Sequence, residues 1–464
     1  MQITTEIDLP YQSEQTANVM LPMRSDTSIA MASICARVFL LSVFCFAISS
    51  FCFGQKQDPL CRGGIGKFTS KFPIGVTITV GARKSGSLAT RACEARLTWN
   101  KGELVVVPEA WQIDIDVMGA DLGSGIPVVT FQTKKSKTDQ LATYEVYSLE
   151  SAPRLLRTIT GGDFFRAIDT NLEGRIEIWT GDASVVNGFE NLPLADFDFA
   201  PTVVMRFQDQ RLVDVSSEFR SYFDRQIAGV RAHIDPQALS DFRSSDGKLS
   251  ATSSLSGEHL RHLVGTKTKV LEIVWSYLYS GREQAAWHAL ADMWPPADLE
   301  RIRAAILAER SHGIDSQVDE ISAPTSRLHL KKHAVVYNLI YDSPDSANAN
   351  GAGKVLITSL NDLNDFLDRP AKRSSPVASK PESLNLHIPL PTEAQREFLY
   401  SGVALELVID AAGKVHSAKL ATKAGEGSIG DSLISASTEW IFIPAIKDGH
   451  AVASRVLQVF SPYR

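Results

Sequence analysis

Val403-Ala-Leu-Glu-Leu-Val-Ile-Asp410, continuing as Ala411-Ala-Gly413-Lys-Val415, is the stretch in which the fold of this chain is most legible. Val403, Leu405, Leu407 and Ile409 alternate, which predicts a strand that buries one face. Ala412-Gly413 supplies a hairpin turn, and the chain returns through Val415 to Leu420. A helical stretch from Asp431 to Trp440 follows and packs its apolar stripe on the sheet. Trp440 and Phe442 lead the chain off the helix into the core. Pro444 interrupts the pattern, and Arg455-Val-Leu-Gln-Val-Phe460 predicts a closing strand. The result is a small, mostly antiparallel α+β module over residues 385–464.

Two groups of residues in this module carry a resemblance. One is Ile409-Asp410-x-x-Gly413-x-Val415. The other is Trp440-x-Phe442-x-Pro444-Ala445, followed by Gly449 and the last strand. In this order they resemble the TonB C-terminal domain family, over less than a fifth of the chain. The resemblance implies a periplasmic module that pairs its edge strand with a short segment of a partner, typically an outer-membrane transporter. The physics would be β-augmentation, in which backbone hydrogen bonds give affinity and side-chain pockets give selectivity. The chain departs from an energy-transducing member in several ways. Its apolar run 38–54 holds no histidine, and the Tyr-Pro entry motif is absent. The Ser/Pro-rich linker 370–384 is far too short to span a periplasm at ~3.1 Å per residue. The resemblance therefore speaks more for the fold and for strand docking than for force transduction.

Working back from the module, residues 321–369 read as a connector. It holds one strand candidate, Ala334–Tyr341, and one short helix near Leu360–Leu367. Residues 217–320 turn to helical spacing, with Phe219, Tyr222, Phe223, Ile227 and Val230 recurring on one face. Leu271–Tyr279 and Arg282–Met293 predict two helices joined at Ser280-Gly281. Trp294-Pro-Pro296 ends the second, and Asp298 is placed to N-cap a third from Leu299 to Glu309. The pair loosely resembles a tetratricopeptide unit.

Residues 55–216 are β-rich. Gly75-Val-Thr-Ile-Thr-Val80 alternates, and Leu104-Val-Val-Val107 is a short apolar run. Asp121-Leu-Gly-Ser-Gly125-Ile-Pro-Val-Val-Thr-Phe131 and Asp169-Thr-Asn-Leu-Glu-Gly174-Arg-Ile-Glu-Ile-Trp179 are both polar glycine turns that run into an apolar strand, and Gly174 lies 49 residues after Gly125. That period is the scale of a propeller blade. The two units weakly resemble FG-GAP/VCBS-type repeats and predict a small β-sheet domain, not a closed propeller. A hairpin follows, Thr202–Phe207 and Leu212–Val215, turning at Asp209-Gln210.

The fold class is thus multi-domain α+β, with a β-rich N-terminal domain, an α-helical middle and the C-terminal module. At 464 residues, 44% hydrophobic and 22% charged, the chain is of ordinary globular composition and has room for about three domains. Its net charge of −6 and lack of a Lys/Arg block argue against nucleic acid as a partner and against a polybasic membrane patch.

Residues 1–54 predict export. Arg37 precedes an uncharged apolar run, residues 38–54, with small residues at Cys52 and Gly54, which places a cleavage before Gln55. Met23 and Met31 are alternative starts. If the run is retained, it anchors the chain in the inner membrane, although its length is at the lower limit for a span. Cleavage leaves two cysteines, Cys61 and Cys93, which admit one intramolecular disulfide; free buried thiols are the alternative. A bridge there stabilises by roughly 3–4 kcal/mol on the loop-entropy estimate.

The candidate sites are few. Asp169, Asn171, Glu173 and Glu177, with Gly174 at the bend, space oxygens as a calcium loop does, but Thr180 stands where an EF-hand has its bidentate acid. A hydrogen-bonded turn with solvated acids explains the same pattern. Calcium is otherwise the only cofactor the sequence suggests. Asp114 and Asp116 precede the earlier turn without the spacing. His259-x-x-His262 and His329-x-x-x-His333 lack a third zinc ligand. Gly351-Ala-Gly353-Lys354 and Gly63-Gly64-Ile-Gly66 lack the context of a phosphate loop. Trp275, Tyr277, Tyr279, Trp287 and Trp294 read as helix contacts, or more sharply as a protein-binding groove. No catalytic constellation stands out. The expected function is non-enzymatic: an exported envelope protein, periplasmic or secreted, whose C-terminal module docks another envelope protein. Two alternatives are an energy transducer for outer-membrane uptake and an envelope enzyme with an acidic site near Asp169.

Overall fold

The structure, a computed structural model, describes residues 59–72, 74–83, 92–197, 199–249, 257–321, 337–338, 381–385, 403–421, 429–447 and 449–460. Its N-terminal part opens with β1 (Cys61–Arg62), then β2 (Lys67–Lys71), β3 (Thr77–Ala82), β4 (Cys93–Trp99) and β5 (Gly102–Ala110). Strands β2 to β5 form a four-stranded antiparallel meander. The alternation read at 75–80 is realised, with Ile78 and Val80 buried beside Ala95 and Leu97. Next come β6 (Gln112–Met118), β7 (Val128–Lys134), β8 (Ala142–Ser148), β9 (Leu155–Ile168), β10 (Glu177–Asp182), β11 (Thr202–Gln208) and β12 (Arg211–Asp214). Each pairs antiparallel with the next. With β1 at one end and β13 (Glu320–Ile321) at the other, they make a nine-stranded sheet. The predicted hairpin turns at Asp209-Gln210, both with positive φ, as a two-residue turn matched to strand twist requires.

Cys61 and Cys93 are disulfide-bonded, and the bond ties β1 of the large sheet to β4 of the small one. Both cysteines are fully buried.

Among the described residues five α-helices lie between β12 and β13: α1 (Arg220–Ala232), α2 (Pro236–Arg243), α3 (Gly257–Tyr279), α4 (Glu283–Met293) and α5 (Leu299–Arg310). Asp235 caps α2 by accepting from the N–H groups of Gln237 and Ala238, with Pro236 in the first turn. The α3–α4 hairpin turns through Gly281, whose φ of 73° suits glycine. Asp298 corrects the sequence reading. It stands before α5, but its carboxylate makes no cap. It accepts instead from Trp294 Nε1 at 3.0 Å and pairs with Arg301. Both of its oxygens accept from Arg301, at 2.5 and 2.6 Å, so the carboxylate is already engaged away from the first turn.

The β-rich and helical segments share one hydrophobic core. Tyr144, Phe165, Val203 and Met205 from the sheet lie in the same cluster as Phe223, Trp275, Leu278 and Trp294 from the helices. After the helices the chain rejoins the large sheet, where β13 pairs parallel with β12.

The C-terminal module contains β14 (Tyr337–Asn338), β15 (Glu382–Asn385), β16 (Val403–Ile409), β17 (Val415–Leu420), α6 (Ile429–Ser437), β18 (Ile441–Ile443), β19 (Ala445–Lys447), β20 (His450–Val452) and β21 (Ser454–Phe460). Its main sheet runs in the order β14-β21-β16-β17. Val403, Leu405, Leu407, Ile409, Leu433, Trp440 and Phe442 form its core, as their spacing predicted. The end of the expected linker is ordered differently. Glu382, Ser383 and Leu384 belong to β15, which pairs antiparallel with β18, because Ile441–Ile443 offers an extended partner. The helix expected near Leu360–Leu367, the apolar run 38–54 and all of Ala334–Tyr341 except Tyr337 and Asn338 lie outside the described residues. Among the described residues no helix is long and apolar enough to cross a membrane.

Candidate docking site

Three aspartates organise three glycine turns by the same chemistry. A short carboxylate at the start of a turn can accept the N–H groups that the bend leaves unpaired. Asp121 Oδ1 accepts from the backbone of Gly123, Ser124 and Gly125 at 2.8–3.0 Å. Asp169 accepts from Glu173 at 3.0 Å and Gly174 at 2.8 Å. Asp410 Oδ1 accepts from Ala412 at 2.9 Å and Lys414 at 2.8 Å. The first two turns belong to the β-rich part and the third to the C-terminal module, and the structure joins them. The other oxygen of Asp410 accepts the Asp169 N–H at 2.9 Å.

A buried ion pair lies beside this junction. Lys414 Nζ is 2.6 Å from Asp116 Oδ1 and also donates to the Asp116 carbonyl. Both side chains are 6% exposed. The second oxygen of Asp116 accepts from the Tyr144 hydroxyl at 2.8 Å and the Ala167 N–H at 2.7 Å. Arg166 donates to the Thr438 carbonyl at 3.2 Å. Apolar contacts complete the junction: Ala411 and Ala412 enter the main core, and Ile443 joins the cluster of Phe72, Ile78 and Met118. The module is thus clamped to the β-rich part by its β16–β17 turn and by β18.

Burial sets the acidity here. It pushes the Asp410 carboxyl up to about 7, against the N–H groups of Lys414 and Asp169 that favour the charged form. It pushes Asp169 up to about 6, aided by the nearby Glu177 charge. The Tyr144 hydroxyl is driven well above its usual range by burial and by Asp116.

The four candidate calcium ligands are each engaged by protein. Asp169 closes its own turn. Asn171 accepts from the Glu173 N–H at 3.3 Å. Glu173 pairs with Arg175, and the fully buried Glu177 pairs with Arg206 at 2.7 Å and accepts from Thr170. Among the described residues no group of three or more His, Cys, Asp or Glu is arranged to hold a metal. A cavity of about 260 Å³ opens nearby, where Gly123, Gly174, Gln208, Ala411 and His450 meet, but none of the four candidate ligands lines it. The carboxylates serve turns and ion pairs. His259 and His262 sit in the first two turns of α3, while His329, His333 and Gly351–Lys354 lie outside the described residues. Trp275 and Trp294 are wholly buried in the core, whereas Tyr277 and Trp287 are half-buried beneath Arg282 and Arg303.

Sequence reasoning noted Asp116 but not its partnership with Lys414, nor the Arg206–Glu177–Glu218 network. The available signal was an acid inside an apolar strand, since a buried charge needs a partner.

The outer strands of the module's sheet are the other feature a partner would meet. At one end β17 presents the exposed His416, Ser417 and Lys419. At the other, β21 takes Tyr337–Asn338 on its outer side, in parallel, with Tyr337 opposite Ser454 and Asn338 opposite Arg455. Comparison with protein-family models, curated proteins and solved structures found no match for the chain.

Proposed function

We propose that this chain is an exported, non-enzymatic binding protein of the cell envelope, and that its C-terminal module docks an envelope partner by strand pairing. The observation that carries this reading is the outer edge of β21, which already accepts an extended segment. The two ends of the sheet differ in a way that favours this edge. Polar and lysine-bearing edge strands resist pairing, and β17 is of that kind. The stretch Val456-Leu-Gln-Val-Phe460 in β21 is β-prone and mostly apolar. Backbone pairing there would supply affinity, as in other cases of strand addition. The Asp116–Lys414 clamp favours a fixed binding module over a transducer at the end of a free spacer. The buried disulfide suits an oxidising compartment.

The test is fractionation of cells that make the tagged chain, with the mature N-terminus and thiol state read by mass spectrometry and neighbours fixed by a short crosslinker. The reading predicts an envelope chain that starts near Gln55, carries the Cys61–Cys93 bond and is crosslinked through β21 to another envelope protein. A reduced cytosolic chain with residues 38–54 intact would contradict it.

A further inference from the structure

We propose that the junction between the β-rich part and the C-terminal module is a proton-controlled latch, which seats the module more firmly as its surroundings become more acidic. The geometry behind it is an excess of buried carboxyl groups over cations. Asp114 and Asp116 stand on β6, Asp169 begins the turn after β9, Glu177 lies on β10, and Asp410 comes from the module. They act on one another in series: Asp116 on Asp114, Glu177 on Asp169, and Asp169 on Asp410. Asp116, Asp169, Glu177 and Asp410 are at most 6% exposed. Lys414 is engaged by Asp116, and Arg206 by Glu177 and Glu218. Among the described residues no ion pair is left for Asp114, Asp169 or Asp410, which accept backbone N–H groups instead.

The other charged and titratable groups around the junction, among the described residues, have partners or face solvent. Tyr144 donates to Asp116, Glu173 pairs with Arg175, and Arg166 donates to the Thr438 carbonyl. Glu406 of β16 pairs with Lys419 and Arg455, and His416 of β17 is exposed. Asp121 closes its own turn and, with the exposed His450, lines the open cavity beside Ala411. Carboxylates crowded in a dry site cannot all stay ionised, so some hold protons while the module is seated. Burial pushes Asp114 up to about 7, with Asp116 adding to the push against the Ile115 N–H and Lys414. Asp410 lies at about 7 as well. When the seat opens, water reaches these groups, their acidity returns to the ordinary value near ~4, and the protons leave. Opening is therefore favoured as the pH rises from about 5 to about 7; above that the seated state has lost the same protons, and the effect levels off. The module has a core of its own, built on Val403, Leu405, Leu407 and Trp440, so its seat can open while the β-rich part stays folded.

The experiment is hydrogen exchange of the full chain in unit steps from about pH 5 to about pH 8, expressed as protection relative to the unfolded rate at each pH. The reporting amides are those of Asp169, which donates across the junction, and of Ala412 and Lys414; the amides of β8 serve as the reference. The latch predicts that junction protection falls between about pH 5 and about pH 7, on the order of tenfold per pH unit for each proton released, while β8 protection holds. Asp114→Asn keeps an oxygen for the Ile115 N–H but cannot ionise, and is predicted to flatten the fall. Asp410→Asn, which keeps an acceptor for Ala412 and Lys414, is predicted to do the same. Junction protection that is constant with pH would overturn the proposal. So would an equal fall in β8, which would mean that the whole chain is destabilised. His450→Gln tests the remaining source: if it alone flattens the fall, the proton belongs to that imidazole and the latch is refuted.

Discussion

Lys414 is the residue on which the docked module most depends. Removing one member of a buried ion pair leaves the other charge uncompensated, and such losses run to roughly 3–5 kcal/mol. Lys414→Met is predicted to destabilise the chain by about that amount in urea unfolding. Asp116→Asn combined with it is predicted to recover part of the loss, since an amide can still serve Tyr144 or Ala167. If Lys414→Met left stability unchanged, the clamp would not hold the module. A second prediction at this scale concerns protons. Asp410 at about 7 and Asp169 at about 6 both lie above the ordinary carboxylate value, so the folded chain binds protons more tightly than the unfolded one. Asp214, at about 6, acts in the same direction. This stabilisation is complete below roughly 4, the unfolded value, and is lost as the pH rises through 6 and 7. The melting temperature is predicted to rise as the pH falls from about 8 to about 5, and to rise less in Asp410→Asn. Scanning calorimetry across that interval checks the sign.

The turn at Asp410–Lys414 shows at the element scale how sequence becomes structure. Gly413 has φ of 80°, and a Cβ there would stand 1.9 Å from the Phe442 carbonyl oxygen. Gly413→Ala is therefore predicted to separate the β16–β17 turn from β18, at a cost beyond the ~1–3 kcal/mol of local backbone strain alone. Limited proteolysis should then cut the C-terminal module while the β-rich part survives. The disulfide acts between elements in a similar way. Replacing Cys61 and Cys93 by serine frees β1 from β4, and the loop-entropy estimate for their spacing puts the loss at about 3–4 kcal/mol. Equal melting temperatures for reduced and oxidised chain would contradict this. These elements were legible in sequence because each rests on local signals: alternation for β3 and β16, a break at Trp294-Pro-Pro296, glycine in left-handed turns. What was not legible depends on distance in sequence. The partnership of Asp116 with Lys414 spans nearly 300 residues. The pairing of β15 with β18 turns part of an expected linker into a strand. Asp298 had the right position for a cap, yet Arg301 one turn on took its carboxylate. The calcium spacing at Asp169 was legible as a turn, but the sequence did not disclose that Arg175 and Arg206 would take two of its acids.

At the scale of the whole molecule the structure joins what composition divides. One core runs through the large sheet and the helices, and the C-terminal module is fastened to that body by Asp410, Lys414 and Ile443. A module so held presents β21 in a fixed place, which suits capture of a partner strand. The most direct measurement of that claim is site-specific photo-crosslinking in cells. A photoreactive residue replaces Arg455 at the β21 edge in one chain and the exposed Arg154 of the β-rich part in another. Strand docking predicts that the chain labelled at 455 captures one discrete envelope protein through a short extended segment, and that the chain labelled at 154 does not. Equal capture from both positions, or capture at 455 that maps to a folded surface of the partner, would contradict it.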